Sequence, residues 1–236
     1  MKRFSLLYLI IFFGGFLFAQ DGARQQKMDR IAVEYLKTVG EESALYYGAL
    51  QEALPRSTNY PYLKQPEYVQ ARLSYLGVIY PEAMLRLDMW RHELLVFSPD
   101  NRNVVLIPEN VDWAELHGLC VIYFQPDNLP GCPARGYYYL LHSGNCKVLE
   151  RQTASLNRKD NSTSEQYYII STRFYLLKDG AYQTIRTQNG LLNALQPYKK
   201  ELKRFISTHH LSFRKNPKEF LVQTVVEYEK LTGGSQ

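Results

Sequence analysis

Three cysteines, five histidines and a charged pair beside a tryptophan are the residues in this chain whose types could do chemistry. The stretch "GCPARGYYYLLHSGNCKVL", residues 131–149, holds Cys132 and Cys146, and Cys120 lies just upstream. A thiol can form a disulfide, ligate a metal or attack an electrophile. Metal ligation is poorly served here, because no CxxC spacing occurs. "HELLV" (92–96) approaches the zinc-protease pattern HExxH, but Val96 stands where the second imidazole must be, and the stretch reads as a strand. His209 and His210 are adjacent and so point apart; they suit the C-terminal end of a helix, where the dipole favours a cation. His117 and His142 have no partner nearby in sequence.

Arg86, Asp88 and Trp90 alternate along "MLRLDMW" (84–90) onto one face of a strand. That face is either a surface ion pair worth at most ~1 kcal/mol or a polar ligand-binding patch flanked by an aromatic ring. Arg86, Asp88 and Trp90 are the candidate ligand-binding residues. The chain contains no GxSxG, GxxxxGK[ST] or GxGxxG. No catalytic or metal-ligating residue is nominated, no cofactor is implied, and the balance leans away from an enzyme.

The elements that must position these residues begin after a leader. "MKR" is a charged start, "FSLLYLIIFFGGFLF" an apolar run, and "AQD" offers cleavage after Ala19 or Gln20, so residues 1–20 read as a signal peptide. The run of about fifteen residues falls short of the ~20 that a membrane span needs, and no later segment is apolar enough to span. The expectation is an exported protein, periplasmic or associated with the outer envelope, and soluble once the leader is removed. Its formal charge of +5 falls to +3 without Lys2 and Arg3, too mild to suggest a nucleic-acid partner. Nineteen tyrosines among 236 residues favour strands and binding surfaces.

Met28, Ile31, Ala32, Tyr35, Leu36 and Val39 form one apolar stripe, which predicts an amphipathic helix within residues 21–43. Residues 54–67 carry three prolines and read as a crossing loop. From 44 to 187 the pattern predicts nine or ten strands with short connections. "ENVDWAELHG" (109–118) interrupts them as an irregular or short helical link, and Asp179-Gly180 favours a tight hairpin turn. Residues 188–236 turn helical, with a break near Pro197 and a capping box at Asn216, Pro217 and Glu219. The fold class is therefore α+β and mainly β: an antiparallel meander, as a curled sheet or partly closed barrel, with helices at both ends packed on it. Lys199, Lys200, Lys203, Arg204, Arg214, Lys215 and Lys218 form a basic stretch that reads as a solvated face or as an attraction for anionic lipid or polysaccharide.

In such a meander, Cys120 and Cys146 stand two strand spacings apart, roughly 9–10 Å, which is too far for a bridge. Cys132 belongs to the loop at the opposite end. The expectation is three free thiols, with a Cys120–Cys132 disulfide as the alternative.

"GVIYPEAMLRLDMWRHELLVFSPD", "VDWAELHG", "NLPGCPARGYYYLLHSG" and "ELKRFI" give the chain a resemblance, over roughly residues 44–231, to uncharacterised exported proteins of Bacteroidetes-type Gram-negative bacteria. The resemblance implies a periplasmic or envelope location and carries over no catalytic residue. Together these readings favour a non-enzymatic envelope protein that binds a partner protein or an envelope lipid or polysaccharide. One alternative is a carrier of a lipid-like or aromatic ligand in the curled sheet. The other is a hydrolase assembled from distant residues.

Overall fold

The computed structural model describes residues 30, 31, 34, 43–158 and 165–233. The leader and most of the helix expected within 21–43 lie outside these residues. Eleven strands run in chain order: β1 (Ala49–Leu50), β2 (Val69–Tyr75), β3 (Val78–Asp88), β4 (Glu93–Phe97), β5 (Asn103–Val105), β6 (Val111–Leu116), β7 (Leu119–Phe124), β8 (Gly136–Ser143), β9 (Lys147–Arg158), β10 (Gln166–Lys178) and β11 (Ala181–Ile185). Three helices follow: α1 (Gln188–Ala194), α2 (Lys199–Thr208) and α3 (Pro217–Gly233).

All strands pair antiparallel in one sheet, in the order β1-β5-β4-β3-β2-β6-β7-β8-β9-β10-β11. The sheet has two free ends, so it is not a barrel. Nor is it one sequential meander. The three-residue β5 has its outer edge taken by β1, and β6 returns to pair with β2. Two meanders thus grow in opposite directions from the β2–β6 seam. The segment "VDWAEL", expected to be an irregular or short helical link, is strand β6; Asp112, an extra residue between the Val111–Tyr75 and Trp113–Ser74 pairs, disturbs the alternation that would have revealed it.

The alternation in "MLRLDMW" does set the core. Leu85, Leu87 and Met89 are buried, joined by Leu73, Leu94, Val96, Val104 and Val121 from neighbouring strands. Each such side chain contributes roughly 1.5–3 kcal/mol by leaving water. The sheet curls until distant parts touch: the Ala154 N–H of β9 donates to the Met89 carbonyl at 2.9 Å, and the Trp90 and Tyr168 rings lie 5.6 Å apart. A second core forms where α1–α3 pack their apolar faces on β9, β10 and β11 through Val148, Phe174, Leu176 and Ile185. On the opposite face, Phe124, Tyr138, Tyr175 and Tyr182 form a smaller aromatic cluster. The loop before β8 is pinned there by the Tyr182 N–H on the Pro130 carbonyl, and at Gly131, with φ +70°, a Cβ would meet the Tyr182 carbonyl at 2.2 Å. Among the described residues, no helix is long and apolar enough to cross a membrane.

Candidate functional site

The Arg86–Asp88 face is covered by the chain before β2. Asp88 is 0% exposed. Its Oδ1 accepts from the Trp90 and Arg91 N–H groups at 2.8 and 3.0 Å, and its Oδ2 accepts from Gln51 Nε2 at 3.3 Å. Asp88 therefore closes the turn from β3 to β4 and fastens the incoming segment. The Arg86 guanidinium lies 4.0 Å from the Tyr62 ring and 4.1 Å from the Tyr68 ring. It donates to the Pro66 carbonyl at 2.8 Å and to Gln51 Oε1 at 3.2 Å. Burial pushes the Tyr68 hydroxyl up to about 12, with Arg86 pulling it the other way. Trp90 lies beyond the end of β3, against Tyr168. Arg86 and Asp88 thus hold a strap across the sheet. Both bond Gln51, Arg86 also grips Pro66 and Tyr68 farther along it, and Trp90 is not on their strand face.

All three cysteines are free. Cys120 sits opposite Glu115 on β7, Cys146 in the turn before β9, and Cys132 in the loop pinned by Tyr182. Burial raises all three thiols above their ordinary value, Cys146 to about 11. Cys132 also receives the Asp127 N–H on its sulfur at 3.3 Å. None has the electropositive setting that makes a thiolate at neutral pH.

One place gathers a histidine, a carboxylate and a cysteine. Glu229 on α3 lies 2.9 Å from His142 Nε2 through Oε2 and accepts the Cys146 N–H at 2.7 Å through Oε1. The contact with Cys146 is through its backbone, and its side chain is buried, 2% exposed. Here the carboxylate latches a helix to the β8–β9 hairpin. A Cβ on Gly144 would meet its two oxygens at 2.5 and 2.6 Å, so the turn is shaped around them. A second latch is Glu150, 0% exposed on β9, which accepts from Gln152 Nε2 at 2.7 Å. Lys218 of α3 stands 2.8 Å from its Oε2, off the hydrogen-bonding direction, so that contact is electrostatic. "HELLV" lies across a turn and β4, His92 in the turn and the rest in the strand, and His209 caps the C-terminus of α2, its ring 4.3 Å from Phe205.

The concave face of the sheet is filled by its own side chains. Among the described residues, open, polar clefts lie at the surface. One of about 640 Å³ is bordered by Arg56, Ser57, Thr58, Glu165 and Gln166, and one of about 530 Å³ by Arg72, Glu82, Glu115, His117 and their neighbours. Among the described residues, no group of three or more His, Cys, Asp or Glu side chains could hold a metal ion. Neither the carrier nor the hydrolase reading gains a feature from these residues.

Two surface features remain. Lys200, Lys203, Arg204, Arg214 and Lys215 are exposed on and after α2, and none is ion-paired among the described residues, whereas Lys199 and Lys218 are engaged by Asn193 and Glu150. The other feature is on β10, where Ile169 and Ile170 are 44% and 42% exposed on opposite faces of the strand. The sequence signal for it is "YYIIST", which reads simply as part of a strand. No protein-family model, no curated protein and no solved structure matches the chain.

Proposed function

We propose that the protein is an exported, non-enzymatic component of the bacterial envelope that binds a partner protein through its surface. The charged start, the apolar run and the resemblance to exported envelope proteins support the location. The observation that carries the binding reading is the exposed Ile169–Ile170 pair on a strand whose outer side is only partly covered, in a fold whose interior is otherwise filled. A strand edge with unpaired backbone groups is a ready template for pairing with another chain.

The test is a photocrosslinking residue placed at position 170 and, separately, at position 200, in cells exporting the full chain. A protein adduct of discrete mass from position 170 alone is the expected result. Adducts from neither position, or the same smear from both, overturn the reading.

A second reading is favoured by the unpaired cations of α2: attraction to an anionic envelope lipid or polysaccharide. It predicts sedimentation with phosphatidylglycerol vesicles that is lost when salt screens the charge.

A further inference from the structure

Strand β10 is paired with β9 along its whole length from Gln166 to Leu177, but with β11 only from Phe174 to Lys178. At its start, the outer edge is closed by a different device. The Thr58 N–H donates to the Gln166 carbonyl at 2.9 Å, and the Asn59 side chain both accepts the Tyr168 N–H at 2.7 Å and donates to the Tyr168 carbonyl at 2.9 Å. The Asn59 amide thus stands in for one residue of a neighbouring strand. Beyond it the chain leaves for β3, where the Pro61 carbonyl accepts from Met89.

Between Tyr168 and Phe174 lies a window of about 20 Å along the strand. The direction of its backbone groups follows from the register. Ala154, opposite Ile170, spends its N–H on Met89, away from β10. Ile170 is therefore in a non-hydrogen-bonded pair with β9, and its N–H and C=O point to the open edge, as do those of Thr172. Among the described residues these four groups have no backbone partner.

We infer that this window takes a short extended segment of a partner protein by strand addition, with β-branched side chains against Ile169 and Ile170 and an acidic residue near Arg173. The inference rests on the partner-binding reading above and names its mode. Its charge preference follows from what surrounds the window. Arg173 is exposed within it, Arg186 follows Ile185 at one end, and Arg56 and Arg158 stand at the other, against one acid among the described residues there, Glu165. A second copy of the same strand does not fit. Antiparallel pairing about Ser171 would lay the copy's Tyr168 where Ile185 already sits opposite Phe174. A tail or exposed loop of three to five residues can enter such a window, and β-strand addition is an established mode of peptide capture.

The experiment is selection of random dodecapeptides displayed on phage against the immobilised full chain. The selected peptides are then measured by fluorescence anisotropy against two variants. Thr172→Pro removes an N–H that the β9 ladder does not use, so the fold is kept while an added strand loses a bond. Arg173→Glu keeps the backbone and reverses the charge. The expected result is enrichment of β-branched peptides with at least one Asp or Glu. Their affinity should fall at least tenfold with Thr172→Pro, and reselection on Arg173→Glu should replace the acid with Lys or Arg. Peptides indifferent to both variants, or no enrichment at all, overturn strand addition. Whether the partner-binding reading survives is then decided separately by crosslinking from position 170. If Thr172→Pro shifts the unfolding midpoint, Arg173→Glu alone decides.

Discussion

Residues 174–178 of β10 have β9 on one side and β11 on the other, with α1–α3 packed over one face. Among the described residues, residues 169–173 of the same strand pair with β9 alone. The two halves have similar strand-forming character: "IISTR" and "FYLLK" are both rich in β-branched, aromatic or aliphatic side chains. Phe174, Tyr175 and Leu176 are buried while Ile169 to Arg173 are exposed. What separates them is coverage by other parts of the chain, so the same kind of residue stabilises the fold in one half and is available to a partner in the other.

That contrast can be broken most directly by truncating each half. Leu176 is buried in the second core, and Leu176→Ala should cost about 3 kcal/mol through lost transfer energy and a residual cavity. Ile170→Ala should cost less than about 1 kcal/mol, since much of that side chain already faces water. Urea unfolding of both variants decides it. Equal costs would mean that the open half is covered after all.

The covered half depends on the latches that hold α3 to the sheet. Lys218→Met strands the fully buried Glu150 with only Gln152, and should cost about 3 kcal/mol, the lower end for an unpaired buried charge. Gly144→Ala drives a methyl into the Glu229 carboxylate, which must swing away and release the Cys146 N–H and His142. Losing a hydrogen bond to a charged group sets that cost at about 2 kcal/mol. Unfolding curves measured with and without the neighbouring Glu229→Ala change should show the two losses as non-additive.

Cys146 gives the same region a pH signature. Its thiol is raised to about 11 by burial and by Glu229, while in the unfolded chain it titrates near 8.5. A group raised in the folded state contributes its stability fully below the unfolded value and loses it as pH rises through the folded one. Between about pH 8.5 and 11 the protein should therefore lose roughly 3 kcal/mol more than Cys146→Ala, which lacks the titration. At neutral pH, Ellman's reagent should react slowest with Cys146 in the native protein and should count three thiols after denaturation without reductant.

Much of the covered half was legible in the sequence. The apolar stripe from Phe220 through Tyr228, the Asn216–Glu219 capping box and the Asp179-Gly180 turn each act over a few residues, so their spacing encodes them. The alternation that buries Leu85, Leu87 and Met89 is local in the same sense. The path of the sheet was not legible, because the choice of β2 over β5 as the neighbour of β6 is made across 38 residues, as in the bond from Ser74 to Asp112. Nor was the fate of Arg86, Asp88 and Trp90. Their alternation shows a shared face, but the strap that covers Asp88 is fastened at Gln51, for which the sequence offers no reading, and continues through residues 54–67, which read only as a crossing loop. The open window on β10 is hardest of all to read, since a strand's sequence carries no mark of whether its second side will find a partner.

The smallest expected effect probes the boundary between the halves. Asn59 closes the first residue pair of the window by imitating a peptide unit, with one bond accepted from Tyr168 and one donated to it. Asn59→Ala removes both bonds and leaves the Tyr168 N–H and C=O to water at the strand edge, a loss of about 1 kcal/mol where solvent can replace the partner. The same change lengthens the open edge by one hydrogen-bonding residue. A peptide selected on the native chain should therefore bind Asn59→Ala at least as tightly, and a longer selected strand should gain, even though the protein itself is less stable. Stability and capacity to bind would then move in opposite directions at a single side chain. A peptide that weakens in step with the unfolding midpoint would instead show that Asn59 shapes the window and does not merely close its end.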